Sequence, residues 1–173
     1  MKYVDSMVTF SEVPDEITLA ISISGCNIHC PDCHSKYLWE DTGKILDWES
    51  LHQLIEANKG ITCVCFMGGT PKEILDKVYW IKTRHPELHT AWYTGLPTLK
   101  DCVEVIKYLD YCKVGPYIKE KGPLTSPTTN QRFYARGAML HKISAYPKTF
   151  YDITDRFWKK DDNRQFQSNQ ESS

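Results

Sequence analysis

Four short apolar segments, each leading to a glycine, limit the folds that this chain can adopt. They begin at residues 17, 61, 90 and 111, and each has the composition of a buried or half-buried β-strand. Segments with apolar residues at helical spacing lie between them. Strands that alternate with helices form a parallel sheet with right-handed crossover connections. The sequence therefore predicts an α/β fold built from parallel strands and βα repeats.

Two strands are expected near the start of the chain. Residues 17–24 alternate isoleucine and leucine with small or hydroxyl side chains, which is the period of a strand with two different faces. Residues 2–12 are predicted to form another strand beside it, reached through a turn at Pro14 and Asp15.

Three helices are expected between the later strands. Asp47 can cap the first helix, and Gly60 can end it. Thr70, Pro71 and Glu73 have the arrangement of a capping box with proline in the first helical position, which predicts the second helix. The third helix is indicated by apolar residues at helical spacing, namely Leu99, Cys102, Val103, Ile106 and Leu109.

The remaining segments and the composition suggest one domain. Residues 1–158 are expected to form this domain, with a turn-rich loop at residues 122–137. Residues 159–173 are polar and are predicted to be a disordered tail. The net charge of −1 gives no electrostatic reason to expect a nucleic-acid or membrane partner. We see no secretory signal and no membrane-spanning window, so a cytoplasmic protein is expected.

Three of the seven cysteines, Cys26, Cys30 and Cys33, follow directly after the strand at residues 17–24. Four thiolates would complete a zinc or iron–sulfur site, whereas three leave one metal position for a different ligand. In a [4Fe–4S] cluster, this is an open fourth iron that can bind and reduce a small molecule. The alternative is a zinc site completed by His29 or His34, although the two separated cysteine pairs usual in zinc fingers are missing.

The other cysteines have a different setting. Because no secretory signal is seen, a disulfide framework is not expected. Two of these cysteines, Cys63 and Cys65, are predicted to share one face of a strand. All four are predicted to be buried and unreactive, and they are Cys63, Cys65, Cys102 and Cys112.

Glycines at the ends of the predicted strands indicate where a ligand would bind. Sites in parallel α/β folds lie at the carboxyl ends of the strands, where glycine allows the backbone to approach a ligand closely. We therefore expect the three clustered cysteines and these glycines to line one cleft.

The cysteine spacing C-x3-C-x2-C resembles the signature of radical S-adenosylmethionine (SAM) enzymes. Five segments are similar, in the same order, to segments of the activating proteins of anaerobic (class III) ribonucleoside-triphosphate reductase. This resemblance covers about residues 1–135 and implies an incomplete (trimmed) radical SAM barrel. The segments are "SGCNIHCPDCHSKYLW", "ITCVCFMGG", "AWYTG", "KVGPYI" and "TTNQRFY".

The resemblance implies a cofactor, a reaction and partners. Cys26, Cys30 and Cys33 would ligate three irons of a [4Fe–4S] cluster, and SAM would bind the fourth iron. Reductive cleavage of SAM would give a 5′-deoxyadenosyl radical, which would take a hydrogen atom from a glycine of the reductase. The implied electron donor is a low-potential protein such as reduced flavodoxin. Activases of other glycyl-radical enzymes share this chemistry but are usually longer, with further cluster domains.

The resemblance also suggests residues that bind SAM. Gly68 and Gly69 match the glycine motif that holds the SAM amino group. Thr70 stands where many relatives have an acidic residue, and it is equally suited to cap a helix. Thr94 and Gly95 can line the SAM site or simply form a strand-to-helix turn.

Several further residues near these motifs have two interpretations each. Asp32 stands where relatives often have an aromatic residue or glycine, so adenine would have to rest on other side chains. The triplet 130–132 matches the family and either orders SAM or the reductase tail, or only stabilises its own loop. The triplet consists of Asn130, Gln131 and Arg132. Lys36, Tyr37 and Trp39 either shield the cluster or pack in the core. His29 and His34 are expected to be loop residues that donate hydrogen bonds to the cluster sulfides, with direct ligation of the metal as the alternative.

Overall fold

A computed structural model describes residues 1–140 and 148–158 of the chain. It contains short 3-10 helices besides the strands and α-helices. The strands are β1 (Lys2–Thr9), β2 (Thr18–Ile23), β3 (Lys44–Ile45), β4 (Cys63–Met67), β5 (His89–Tyr93), β6 (Tyr111–Val114), β7 (Arg132–Arg136) and β8 (Phe150–Asp152), and the α-helices are α1 (Trp48–Ala57) and α2 (Pro71–Arg84).

Within the described residues, these strands form one mixed sheet in the order β3-β1-β2-β4-β5-β6-β7-β8. The central strands β2, β4, β5 and β6 run parallel to one another. Antiparallel pairing adds β1 and β3 at one side and β7 and β8 at the other. The predicted α/β class and the parallel strands are confirmed, but the sheet as a whole is mixed because antiparallel strands flank its parallel centre.

Both α-helices begin directly after the capping residues that the sequence indicated, Asp47 and Thr70. The Asp47 carboxylate accepts the Ser50 N–H at 2.8 Å before α1. The Glu73 carboxylate accepts the Thr70 N–H at 3.1 Å and the Thr70 hydroxyl at 2.7 Å before α2. These bonds occupy polar groups that would otherwise lack partners at a helix start. Gly60 lies two residues beyond the C-cap Asn58 of α1.

The sheet carries an apolar core on each face. One core lies between the sheet and the helices and includes Val64 and Phe66 of β4. The other lies on the opposite face and includes Cys63 and Cys65. Alternate residues of a strand point to opposite faces, so the predicted pairing of Cys63 with Cys65 on one face is confirmed.

The predicted third α-helix is wrong. Its residues form two 3-10 helices, Leu99–Cys102 and Ile106–Tyr108. Short-range bonds, such as Val105 N–H to Cys102 O at 3.0 Å, replace the longer α-helical pattern. β-branched residues in this segment lose side-chain freedom in an α-helix, which weakens the tendency that apolar spacing alone indicated.

The loop predicted for residues 122–137 is also wrong in its second half. Residues 132–136 are strand β7, which pairs antiparallel with β6. Phe133 and Ala135 are fully buried, while the alternate residues Arg132, Tyr134 and Arg136 are partly exposed. The strand period is therefore present, but long side chains that combine apolar and polar parts occupy the alternate positions.

Two predictions concern the ends of the chain and the membrane. The predicted tail, residues 159–173, lies entirely outside the described residues. The single domain over residues 1–158 stays a prediction. Among the described residues, no helix has both the length and the apolar character needed to cross a membrane.

Candidate functional site

The three clustered cysteines lie on one loop, residues 25–40, which we call the cysteine loop. It begins at Gly25, whose φ of 76° is in the left-handed region that favours glycine. The loop closes on itself, because Gly25 N–H donates to Glu40 O at 3.2 Å and Cys26 N–H donates to Leu38 O at 2.9 Å. Cys26, Cys30 and Cys33 are all free and half-buried. The loop thus presents three thiols at the carboxyl end of β2.

Backbone N–H groups point at two of these sulfurs. Tyr117 N–H donates to Cys30 Sγ at 3.4 Å, and Ser35 N–H donates to Cys33 Sγ at 3.3 Å. Hydrogen bonds to cysteine sulfur influence the potential of any iron–sulfur cluster that the cysteine holds. Cys33 N–H also donates to Cys30 O at 2.9 Å, which holds these two cysteines on one turn.

The turn after β4 needs both of its glycines. Gly68 has φ of 98° and Gly69 has φ of 80°. A Cβ atom at Gly68 would lie 2.9 Å from the Ile23 carbonyl oxygen, and one at Gly69 would lie 3.1 Å from Ile74 Cδ1. The indole N–H of Trp92 donates to Gly68 O at 2.8 Å. This turn therefore packs against the end of β2, immediately before the cysteine loop.

The turn after β5 packs directly against the cysteine loop. A Cβ atom at Gly95 would lie 2.7 Å from Cγ2 of Ile28, the residue between Cys26 and Cys30 in the loop. The Thr94 hydroxyl is occupied in this turn, where it accepts Leu96 N–H at 3.2 Å. Thr94 and Gly95, which were predicted to line the SAM site, therefore also have structural roles in this turn.

The turn after β6 is held from several sides. Gly115 has φ of 98°, and its N–H donates to Leu96 O at 2.7 Å. The Asn130 amide donates to Pro116 O at 2.8 Å, and a Cβ atom at Gly115 would lie 3.1 Å from Gln131 Cα. Within the described part of the chain, the Asn130 Oδ1 atom is buried without a hydrogen-bond partner. These contacts stabilise the turn that places the Tyr117 N–H against Cys30 Sγ.

The ends of the four parallel strands therefore meet around the cysteine loop. Gly25 and Thr70, which follow β2 and β4, also line one cavity of about 590 Å³ together with Ser24. The structure thus brings the cysteine loop together with the predicted glycine turns, as expected from the parallel topology. Their roles in binding SAM stay predictions.

Ring side chains pack within the cysteine loop and against it. His29 has φ of 50° and stacks on Trp39 with ring centroids 4.7 Å apart. His34 lies against Tyr117, with centroids 4.8 Å apart. The Trp39 indole N–H is buried and has no hydrogen-bond partner among the residues that the structure describes.

The remaining residues named in the sequence analysis lie in the cysteine loop or at the start of β7. Lys36 Nζ lies 5.4 Å from the centre of the Trp39 ring. Tyr37 is 56% exposed, so it does not belong to the core. Asp32 is exposed as well. Arg132 donates to Thr129 O and Gln131 O, both at 2.8 Å, so the segment before β7 is held by its own hydrogen bonds.

The donor set of the cysteine loop fits a [4Fe–4S] cluster. It offers three thiols on one turn-rich loop, with backbone N–H groups on two sulfurs. Across residues 1–140 and 148–158, no group of three or more His, Cys, Asp and Glu side chains is placed to hold a metal ion. A cubane cluster binds each cysteine through a different iron, so its three sulfurs need not meet at one metal position.

The other cysteines are buried, as predicted. Burial raises the pKa of the Cys63 and Cys65 thiols well above the ordinary value. A hydrogen bond with Cys102 and burial raise the pKa of Cys112 in the same direction. A thiol whose pKa is raised stays protonated and is a poor nucleophile or metal ligand.

Sequence reasoning missed three residues that shape the site: Trp92, Lys113 and Ile28. Trp92 fixes the glycine turn, and Ile28 packs on Gly95. Lys113 is buried in β6, at 8% exposure. The sequence does show a lysine inside the apolar run "YCKV", which could have indicated a buried charge. The contacts of Trp92 and Ile28 depend on how the strands are aligned and are not visible in the sequence.

Comparisons with known proteins agree with this site. A family model described as a 4Fe-4S single cluster domain matches residues 17–134, which include the cysteine loop and the four parallel strands. This family is found in radical SAM-type proteins. No curated protein and no solved structure gives a significant match.

Proposed function

The chain belongs to the family of 4Fe-4S single cluster domains, and from this premise we propose that it is a radical SAM activase. In this proposal it cleaves SAM reductively and generates a glycyl radical on an anaerobic ribonucleoside-triphosphate reductase. The observation that carries the proposal is the cysteine loop at the end of β2, with the glycine turns after β4 and β5 packed beside it.

The number of cysteines supports a reactive cluster. Cys26, Cys30 and Cys33 would hold three irons, which leaves the fourth iron to an exchangeable ligand. When bound, the cluster would supply the electron that splits SAM into methionine and a 5′-deoxyadenosyl radical. The protein would position SAM and exclude competing reactions, as in other cofactor enzymes.

The glycine turns supply the binding surface in this proposal. Gly68 and Gly69 would present backbone groups to the SAM amino group. Both have positive φ, and the Trp92 indole holds the Gly68 carbonyl in place. Thr70, Thr94 and Gly95 would line the same site, and the Thr70 hydroxyl is occupied by Glu73. Thr70 therefore contributes by its position at the start of α2.

The sheet would be an incomplete radical SAM barrel. Four parallel strands with the cluster loop after the first of them support this interpretation. Low-potential reduction would come from a protein such as flavodoxin. We place the activity in the cytoplasm as part of the proposal, because free thiols persist in reducing compartments.

The proposal is tested with the anaerobically reconstituted protein, dithionite, SAM and the reductase. The expected products are 5′-deoxyadenosine, methionine and the EPR doublet of a glycyl radical on the reductase. A protein that binds a cluster but cleaves no SAM would instead be an electron-transfer or structural module. SAM cleavage without a radical on this reductase would indicate an activase of another glycyl-radical enzyme.

A further inference from the structure

Lys113 is a buried cation in β6, the strand whose following turn contacts the cysteine loop. It lies in β6 between Tyr93 of β5 and Phe133 of β7, and it is only 8% exposed. Its ammonium donates to Gly115 O at 2.8 Å. In the part of the chain that the structure describes, it forms no ion pair with a carboxylate. A buried ammonium without a negative partner is costly, because burial removes the water that would stabilise its charge.

Lys113 is joined to the cysteine loop through the turn after β6. The turn that accepts the Lys113 ammonium at Gly115 continues to Tyr117, whose N–H donates to Cys30 Sγ. Burial lowers the pKa of Lys113 to about 8, whereas negative charge on Cys30 and Cys33 of the cysteine loop would act in the opposite direction.

We propose that Lys113 is the counter-charge of the cluster and raises its reduction potential. This inference rests on the cluster assignment in the proposed function. One-electron reduction of the bound cluster, from [4Fe–4S]2+ to [4Fe–4S]+, adds one negative charge and no proton. A buried positive charge nearby stabilises the reduced form more than the oxidised form, and it does so strongly because burial limits screening by water and salt.

The test is a potentiometric EPR titration of the reconstituted protein with dithionite and redox mediators. Lys113→Met removes the charge and keeps a similar shape. We expect its ratio of reduced to oxidised cluster, at a fixed potential, to fall roughly tenfold, which is a shift of about 59 mV to lower potential. The matched control is Lys119→Met, which removes the same charge from an exposed position in the segment after Tyr117. It should leave the potential close to that of the wild type.

Two further measurements strengthen the test. Lys113→Gln removes the charge but can still donate to Gly115 O, so it should show the same downward shift even if Lys113→Met folds poorly. High salt should leave the difference between wild type and Lys113→Gln largely unchanged, since a buried charge is screened little.

The outcomes separate this inference from the proposed function. Unchanged potentials in both Lys113 variants, with an intact cluster, would overturn the inference alone. An equal shift in Lys119→Met would also overturn it, because net charge and not the buried position would then explain the effect. A wild-type protein that binds no cluster would overturn both proposals.

Discussion

The backbone N–H of Tyr117 donates to Cys30 Sγ at 3.4 Å and so joins the end of β6 to the cysteine loop, 87 residues earlier. The same loop contacts the turn after β5, where Gly95 packs on Ile28. The cysteines are therefore positioned by the sheet as a whole and not only by their spacing. Changes at a distant strand end are expected to alter the cluster site.

The cysteine loop gives the first prediction. Cys30→Ala should abolish both the cluster and SAM cleavage, because it would remove one of the three proposed sulfur ligands together with the acceptor of the Tyr117 N–H. Iron and sulfide analysis with the visible spectrum of the reconstituted protein measures this. Cys65→Ala is the control, since Cys65 is fully buried in the core away from the loop and should leave iron binding intact. A Cys30→Ala protein that cleaved SAM at the wild-type rate would show that the cysteine assignment is wrong.

The contact between Gly95 and Ile28 leads to a second prediction. Gly95→Ala should lower the iron content, because the added Cβ would lie 2.7 Å from Ile28 Cγ2 and push the cysteine loop outward. The control is Gly60→Ala, where φ is +95° but no described atom beyond the neighbouring residues lies within 4 Å of the added Cβ. That variant should lose about 1 kcal/mol of stability and no iron. Equal iron content in Gly95→Ala and wild type would mean that the loop tolerates the displacement.

A third prediction concerns the glycine turn. Trp92→Phe removes the indole N–H that holds Gly68 O at 2.8 Å, while it keeps an aromatic ring in the core. We expect SAM affinity to fall roughly tenfold, the equivalent of about 1.4 kcal/mol, with the cluster retained. Equilibrium binding of SAM to the reconstituted protein measures this. Trp80→Phe on α2 is the control and should bind SAM normally, and a normal affinity in Trp92→Phe would contradict the role given to this turn.

The opposite end of the sheet carries a buried carboxylate, Glu16, that contacts β5, β6 and the residue before β4. His89 Nδ1 and the Tyr111 hydroxyl each lie 2.7 Å from its Oε1 atom, and the Thr62 hydroxyl donates to its Oε2 atom. Burial alone would raise the pKa of Glu16, but the hydrogen bonds from His89, Thr62 and Tyr111 outweigh burial and lower it. The hydrogen bond to Glu16 raises the pKa of His89, against the effect of burial.

These two shifts predict a pH window of greatest stability. The lowered Glu16 pKa stabilises the fold above the ordinary value of 4.5, and this is lost as pH falls through the folded pKa. The raised His89 pKa stabilises the fold below the ordinary value of 6.5, and this is lost as pH rises through the folded pKa. Both contributions are present between these two values.

Glu16→Gln should therefore be most harmful inside that window. We expect a loss of about 2 kcal/mol in the free energy of unfolding near pH 5.5, and a smaller loss near pH 8.5. Urea unfolding of the apo-protein at both pH values measures this. The exposed Glu104→Gln serves as the control and should change little. An equal loss at both pH values would show that His89 and Glu16 are not electrostatically linked.

Local sequence patterns predicted the parts of the fold that depend on neighbouring residues. Asp47 and Thr70 stand at the starts of α1 and α2, and the alternation in residues 17–24 gives β2. The segment 132–136 was missed because its alternate positions hold arginine and tyrosine, which pack through their apolar parts. The apolar spacing in residues 98–110 was misleading because 3-10 helices bury a similar set of side chains.

The site was predicted in composition but not in its contacts. The cysteines and glycines could be located because parallel strands place their ends at one edge of a sheet. The bond from Trp92 to Gly68 depends on the alignment of Phe66 with Trp92 in β4 and β5. Such alignment joins residues that are distant in the chain, so spacing within one segment cannot reveal it. The burial of Lys113 likewise depends on the strands at both its sides.

The most direct test of the central claim is low-temperature EPR of the anaerobically reconstituted, dithionite-reduced protein, with and without SAM. We predict the signal of a [4Fe–4S]+ cluster whose shape changes when SAM is added, because SAM would bind the iron that Cys26, Cys30 and Cys33 leave open. A protein that takes up zinc but assembles no cluster, or a cluster signal that SAM leaves unchanged, would contradict the account.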